Sequence, residues 1–414
     1  MRISVESQQQ IQKNLDDATR DQHKGVPGLV FVSIDRNGDT LAAHASGTKG
    51  LNSSDPMTLD TVFWIASCTK LITAIACMQL VEQGTLALDD AQLVYYFCPV
   101  LAEKKVLQHG ELVPREGDIT LRNLLSHTAG FGYPFFNKRL NDLKLAGVGD
   151  GVAPSEAAMV SMPLVNQPGS RWEYGINLDW AGILVERASG LKLNDYFQKY
   201  IFEPLGLEHI GMFPTPDMKQ QIASMHQRSD GINSERDNPL RHALEARTSE
   251  ERAAVFNSGG GGCFARPTDF VQILAALLNS GTSPTTSAQI LKPETVDAMF
   301  QNQIQDFPDF GRQGAVTVRP EVTNSLSEMF PQEGSPPQGW GLSFFLTLEP
   351  GFTGRGANAA TWGGLPNLHY WIDREKGVAG MIASQILPFG DSQVVAEWMK
   401  CEAAVYQGLG EEFV

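Results

Sequence analysis

The sequence predicts an α/β protein of the α+β type. One antiparallel sheet is built from both chain ends and flanked by N- and C-terminal helices, and a mostly helical lobe is inserted between them. Three observations carry this reading. Leu29–Asp35 and Thr40–Ala45 are short apolar runs around Arg36-Asn37-Gly38-Asp39, the pattern of a hairpin. His369–Asp373 and Val378–Ala383 flank Arg374-Glu375-Lys376-Gly377 in the same way near the other end. Between the hairpins the apolar spacing is chiefly helical.

Taken in order, residues 4 to 23 read as an amphipathic helix, with Val5, Ile11, Leu15 and Ala18 on one side. The first hairpin follows Pro27-Gly28. Leu71 to Val81 is apolar on nearly every side, with only Thr73 and Gln79 clearly polar, and Gly84 ends it. Such a helix belongs in the middle of a large fold. Leu121–Ser126, Asn177–Ala188 and Asn194–Ile201 continue the helical middle, and Arg266–Leu278 and Gln393–Gln407 add two helices near the end. The expected division is a sheet lobe from residues 1–66 and 254–414, a helical lobe from 67–253, and an active site in the cleft between them. Residues 130–153 and 303–339 are irregular and rich in aromatics (Phe131, Tyr133, Phe135, Phe136; Phe307, Phe310, Phe330). Those rings either wall an apolar pocket or pin the loops to the body.

With 414 residues, 42% hydrophobic and 19% charged, the chain is an ordinary globular one, long enough for two lobes. A formal charge of −15 and a pI near 5.0 argue against nucleic acid or an anionic membrane face as partner. Five scattered cysteines without a Cys-x-x-Cys pair argue against a disulfide framework or structural zinc. No secretory apolar region and no bilayer-length apolar run is visible, so a cytoplasmic protein is expected.

Ser-x-x-Lys occurs three times: Ser46 with Lys49, Ser67 with Lys70, and Ser189 with Lys192. Only Ser67 opens a buried helix. Positions i and i+3 point the same way about one turn apart, so the Ser67 hydroxyl and the Lys70 amine approach each other. A buried ammonium needs a partner or gives up its proton, which makes Lys70 a natural companion for a serine nucleophile. Tyr174, just before a helix, is either packing or the group that takes the serine proton, a role that needs an ammonium such as Lys70 nearby. Asn177 either holds the Lys70 amine or caps its own helix. Trp362-Gly363-Gly364-Leu365-Pro366 precedes an apolar strand, and paired glycines there mark a close backbone approach. The backbone N–H groups of Ser67 and Leu365 are the expected oxyanion hole, with a plain strand bulge as the alternative. Gly259–Gly262 lacks the Gly-Lys-Ser/Thr ending of a phosphate loop and reads as a tight turn. His127 reads as a structural histidine at a helix end. No Gly-x-Ser-x-Gly elbow and no His-Glu-x-x-His cluster is present, and neither metal nor organic cofactor is implied.

Together, and in this chain order, these residues resemble the serine β-lactamase and penicillin-binding-protein superfamily, in its class C-like esterase branch. Ser67-Cys68-Thr69-Lys70 matches the nucleophile motif and Tyr174 the catalytic tyrosine. Trp362-Gly363-Gly364 stands where relatives carry Lys-Thr-Gly or His-Thr-Gly. Leu124–Gly130 and the glycine run near 260 are phrases of that branch, and Tyr174–Gly190 is most similar to the fungal lovastatin-type transesterases of polyketide metabolism. The resemblance implies a β-lactamase/transpeptidase-like fold and an intracellular acyltransferase that moves an acyl group from a thioester to an alcohol. Two departures stand out. The tyrosine motif is Tyr-x-x-Asn rather than Tyr-x-Asn, and Trp362 replaces the lysine that helps hold a penicillin carboxylate. A flat apolar indole favours a neutral, hydrophobic acyl compound, so weak β-lactamase activity at most is expected.

The resulting expectation is acyl transfer through an acyl-Ser67 intermediate, with Tyr174 taking the serine proton and Lys70 supplying positive charge, the choice of main base between Tyr174 and Lys70 staying open. Trp362, Gly363, Gly364, Asn177, Phe136 and Tyr133 are the expected substrate contacts. The partners are a small-molecule ester or thioester donor, including a carrier-protein-bound acyl thioester, and the alcohol of a secondary metabolite. Hydrolysis by the same site, and a catalytically silent binding protein, are the alternatives.

Overall fold

The computed structural model describes residues 1–144, 155–312, 316–325 and 336–409. Phe330, expected in an aromatic loop, lies outside the described residues. Twelve elements position the site: α1 (Val5–Ala18), β1 (Gly28–Asp35), β2 (Thr40–Gly47), α2 (Thr69–Glu82), α3 (Asn177–Ser189), α4 (Pro267–Leu278), β3 (Gln338–Trp340), β4 (Phe345–Thr347), β5 (Ala359–Gly364), β6 (Leu368–Asp373), β7 (Val378–Ala383) and α5 (Ser392–Gly408).

Seven strands pair antiparallel in the order β3-β4-β5-β6-β7-β1-β2. The expected hairpins are both present, and the first and last meet edge to edge, with Val30 opposite Ala383. All eight β1 residues are buried, because both sheet faces are covered. Leu29 and Phe31 point to a core shared with α1 and α5, through Ile11, Leu15, Trp398 and Val405. Val30, Val32 and Ile34 point the other way, to the main core with α2 and α4. The period-two alternation of a strand is therefore kept, but apolar on both sides.

α2 is the axis of that main core. Every residue from Thr69 to Leu80 is buried. Its buried polar side chains reach out of the helix: Thr73 Oγ1 donates to Gly259 O at 2.7 Å, and Gln79 Nε2 to Tyr200 O and Ile290 O, each at 3.0 Å. Truncating a residue such as Leu71 to alanine costs about 2–5 kcal/mol at a site of this kind.

The middle of the chain is mainly helical but contributes strands that reach the sheet side. Met225–Ser229 pairs with Ile386–Leu387, and Ile210–Gly211 pairs with Phe264–Ala265. Phe63–Trp64 joins the other edge of Phe264–Ala265, immediately before Ser67. Ser46 and Ser189 have structural roles: Ser46 Oγ donates to Asp16 Oδ1 at 2.7 Å, and Ser189 Oγ to Val185 O at 2.6 Å.

Candidate active site

Ser67 stands half-buried in a short 3₁₀ turn, Ala66–Cys68, that runs into α2. Ala66 holds φ of +42°, a left-handed conformation uncommon outside glycine and a local source of strain. The turn is clamped on three sides. Trp64 Nε1 donates to Gly261 O at 2.7 Å, Ile65 N–H to Cys263 O at 3.0 Å, and Cys263 N–H to Thr69 Oγ1 at 3.0 Å. These bonds bring the glycine run against the start of α2. Cys68, beside Ser67, is fully buried, and that burial holds its thiol far above the usual range.

The Lys70 amine is sealed from solvent and has three partners: Ser67 Oγ at 3.0 Å, Tyr133 Oη at 3.0 Å and Gly260 O at 2.7 Å. None is a carboxylate. The amine also lies 4.8 Å from the centroid of the Tyr174 ring and 5.3 Å from that of Tyr133. Hydroxyl, amine and phenol therefore meet at one place, although the phenol in direct contact with the amine is Tyr133. Burial raises the Tyr133 phenol well above its ordinary value, with Asp179 and Tyr174 adding to the effect, so it stays an O–H group.

Tyr174 Oη instead accepts a 3.1 Å hydrogen bond from Trp362 Nε1. Its ring sits among His127, Tyr133, Trp172 and Trp362, with centroid separations of 4.8, 5.3, 6.0 and 5.0 Å. His127 follows the Leu121–Leu125 helix and is structural, as its position implies. Its carbonyl accepts Glu173 N–H at 2.8 Å, and its Nδ1 lies 2.9 Å from Asn177 Nδ2. Burial first, and then the charge of Lys70, holds the imidazole well below its ordinary value. Asn177 departs from both expectations. Its amide turns to His127 rather than to Lys70, and it makes no cap, because Ile176 occupies the cap position of α3. It is wholly buried and borders no part of the cavity, so its place is to join the segments carrying the two phenols.

A cavity opens over Ser67. Tyr133, Phe135, Phe136, Trp362 and Leu365 form apolar walls, and Gly363, Gly260 and Asp179 border it as well. Ser67 and Leu365 thus face one space. Gly364, just before Leu365, has room for no side chain: a Cβ there would lie 2.4 Å from Ile65 O. That contact brings the end of β5 onto the turn holding Ser67. Of the two aromatic loops, the first walls the cavity through Tyr133, Phe135 and Phe136. The second supplies a pin: Phe310 packs on Trp172 with centroids 4.6 Å apart.

Three contributors escaped the sequence reading. Tyr133 was expected only as a substrate contact, the Gly260 carbonyl was hidden in a glycine run read as a turn, and Asp179 was not singled out at all. The one available signal for Asp179 was a carboxylate amid apolar neighbours, Leu178 and Trp180. Among the described residues, no group of three or more His, Cys, Asp or Glu is arranged to hold a metal ion. No helix there is long and apolar enough to cross a membrane.

A mixed fold with an antiparallel sheet, and a serine, a lysine and two phenols at one cavity, define an enzyme of the β-lactamase-like class. The chain belongs to the Beta-lactamase family, whose model matches residues 13–403. It is 32% identical over 388 residues to the lovastatin esterase of Penicillium rubens, covering 90% of this chain and 92% of that protein. Against the monacolin J acid methylbutanoyltransferase of Aspergillus terreus it is 30% identical over 386 residues, covering 88% of each. The unliganded simvastatin synthase (LovD) from Aspergillus terreus superposes with a TM-score of 0.81 at 28% identity, over 99% of this chain and 100% of that one.

Proposed function

We propose that the protein is a serine-dependent acyltransferase (a transesterase) that moves an acyl group from an ester or thioester to the alcohol of a secondary metabolite. The observation that carries this reading is the 3.0 Å contact of a solvent-sealed Lys70 amine with Ser67 Oγ, without a carboxylate bound to the amine. In its base form an amine has two N–H bonds and one lone pair. Gly260 O and Tyr133 Oη take the two N–H bonds, which leaves the lone pair for the Ser67 O–H.

Ser67 Oγ then attacks the donor carbonyl as its proton passes to Lys70. The oxyanion forms toward the N–H groups of Ser67 and Leu365. The donor C–O or C–S bond breaks, Tyr174 protonates the leaving oxygen or sulfur, and Lys70 returns a proton to Tyr174. An alcohol attacks the acyl-serine by the reverse sequence, giving a new ester and free Ser67. The donor is a small molecule or a carrier-protein-bound acyl thioester. The apolar walls suit neutral acyl groups, and Trp362 offers no charge for a penicillin carboxylate. In this reading the cavity lies between a sheet lobe (residues 1–66 and 254–414) and a helical lobe (67–253) of a cytoplasmic enzyme.

Incubation with a chromogenic short-chain ester should add the acyl mass to Ser67, and Ser67→Ala should abolish both adduct and turnover. Full turnover by Ser67→Ala would remove the mechanism. The likeness to the lovastatin esterase favours a second reading, in which water resolves the acyl-serine. Product partition between water and an added alcohol decides between them: ester product at millimolar alcohol supports transfer, and free acid alone supports hydrolysis.

A further inference from the structure

We propose that Asp179 is a positioning residue for this acyl transfer, its carboxylate fixing where the Lys70 amine sits and how readily that amine keeps a proton. The inference rests on the Ser67–Lys70 reading above. Asp179 lies in the first turn of α3 and is buried. Its Oδ1 accepts Ser258 Oγ at 2.6 Å and Gly260 N–H at 3.1 Å. The carbonyl of that same Gly260 accepts from Lys70 Nζ at 2.7 Å. Carboxylate and amine therefore grip the two polar ends of one residue. The grip needs glycine there, since a Cβ at position 260 would lie 2.4 Å from Asp179 Oδ2.

A carboxylate in a first helical turn is ordinarily a solvated partner of the helix dipole. Asp179 instead is dry, borders the cavity over Ser67, and spends hydrogen bonds on the glycine turn. Burial raises its carboxyl above the ordinary value, while the Lys70 charge and the Ser258 and Gly260 bonds act against that rise. The titratable groups gathered round the amine are Cys68 from the turn before its helix, Tyr133 and His127 from the 126–137 segment, Tyr174 from the loop before α3, and Asp179 from α3 itself. Of these, Asp179 is the one carboxyl group. Its negative charge, one peptide unit from the amine, favours the ammonium over the amine by Coulomb attraction.

The test is the pH profile of kcat/KM on a short-chain ester, with Ser67→Ala as the blank. Asp179→Asn keeps an acceptor oxygen for Ser258 and Gly260 but removes the charge. Its acid limb should move to lower pH by about one unit, the size expected for a charge one peptide unit away. Asp179→Glu and Ser258→Ala, which both keep the carboxylate, should retain the wild-type limb even where their rates fall. If Asp179→Asn does not fold, Asp179→Ser removes the same charge and is read the same way. A limb that stays in place or moves to higher pH in the folded, charge-free variant overturns the assignment, even if the rate drops. Ser67-dependent turnover with an unmoved limb removes Asp179 alone, whereas turnover by Ser67→Ala removes the acyl-serine reading and this inference with it.

Discussion

Trp362 and Tyr174, 188 residues apart in the chain, are joined by a 3.1 Å hydrogen bond from indole Nε1 to the phenol oxygen. The bond ties β5 of the sheet to the loop that opens α3. It also holds the phenol by its oxygen, the atom through which a proton must pass. Trp362→Phe keeps an aromatic wall and removes the donor. Losing one buried hydrogen bond is worth about 1–2 kcal/mol, so kcat on a short-chain ester should fall roughly 5- to 30-fold. KM should change little, because the cavity keeps its shape. Steady-state kinetics check this, and an unchanged kcat would show that the bond does no positioning.

The two phenols separate by substitution. Tyr133→Phe leaves the Lys70 amine one acceptor short, and kcat/KM should drop about 10- to 100-fold. Tyr174→Phe deletes the proposed proton carrier, and the loss should reach about 10²- to 10⁴-fold. If the order is reversed, Tyr133 carries the proton.

Acid should unfold the protein partly through His369. Burial pushes this imidazole down to about 3, and its ring stacks on Trp398 with centroids 4.5 Å apart. Below pH ~6.5 the unfolded chain binds a proton that the folded chain refuses, so stability is full above that value and declines as pH falls toward 3. His127 and His226, also held low by burial, act in the same direction. His369→Phe keeps the stacking and removes one such site. Its acid-unfolding midpoint, followed by circular dichroism, should lie at lower pH than that of the wild type.

Far from the cavity, Arg355 Nε donates to Glu402 Oε1 at 2.9 Å, and Thr353 Oγ1 donates to the same oxygen at 2.6 Å. Both members of the ion pair are buried. Glu402→Gln strands the guanidinium and should cost about 3–5 kcal/mol, read as a lower urea midpoint. Ester turnover by the folded protein should be retained.

The sheet was legible because its strands at both ends carry turn signals at the right spacing, and α2 because an all-round apolar helix has only one home. Ser67 and Lys70 were legible for a similarly local reason, three residues apart where a short turn runs into α2. What could not be read was the surroundings of the amine. Tyr133, Gly260 and Asp179 come from three separate segments, and only tertiary packing of the glycine run on α3 unites them. Asn177 failed for a related reason: its place at a helix start allowed a cap or a reach to Lys70, while the buried His127 offered a partner 50 residues away that no local pattern announces.

The burial of Cys68 has a pharmacological consequence. The sulfur lies one residue from a hydroxyl that borders the cavity, yet it is turned into dry core. Soft, thiol-seeking warheads entering this mouth would find no sulfur to alkylate, while hard acyl or phosphonyl electrophiles would meet oxygen. Covalent ligands for this protein are therefore sorted by the softness of their reacting atom before their shape matters at all.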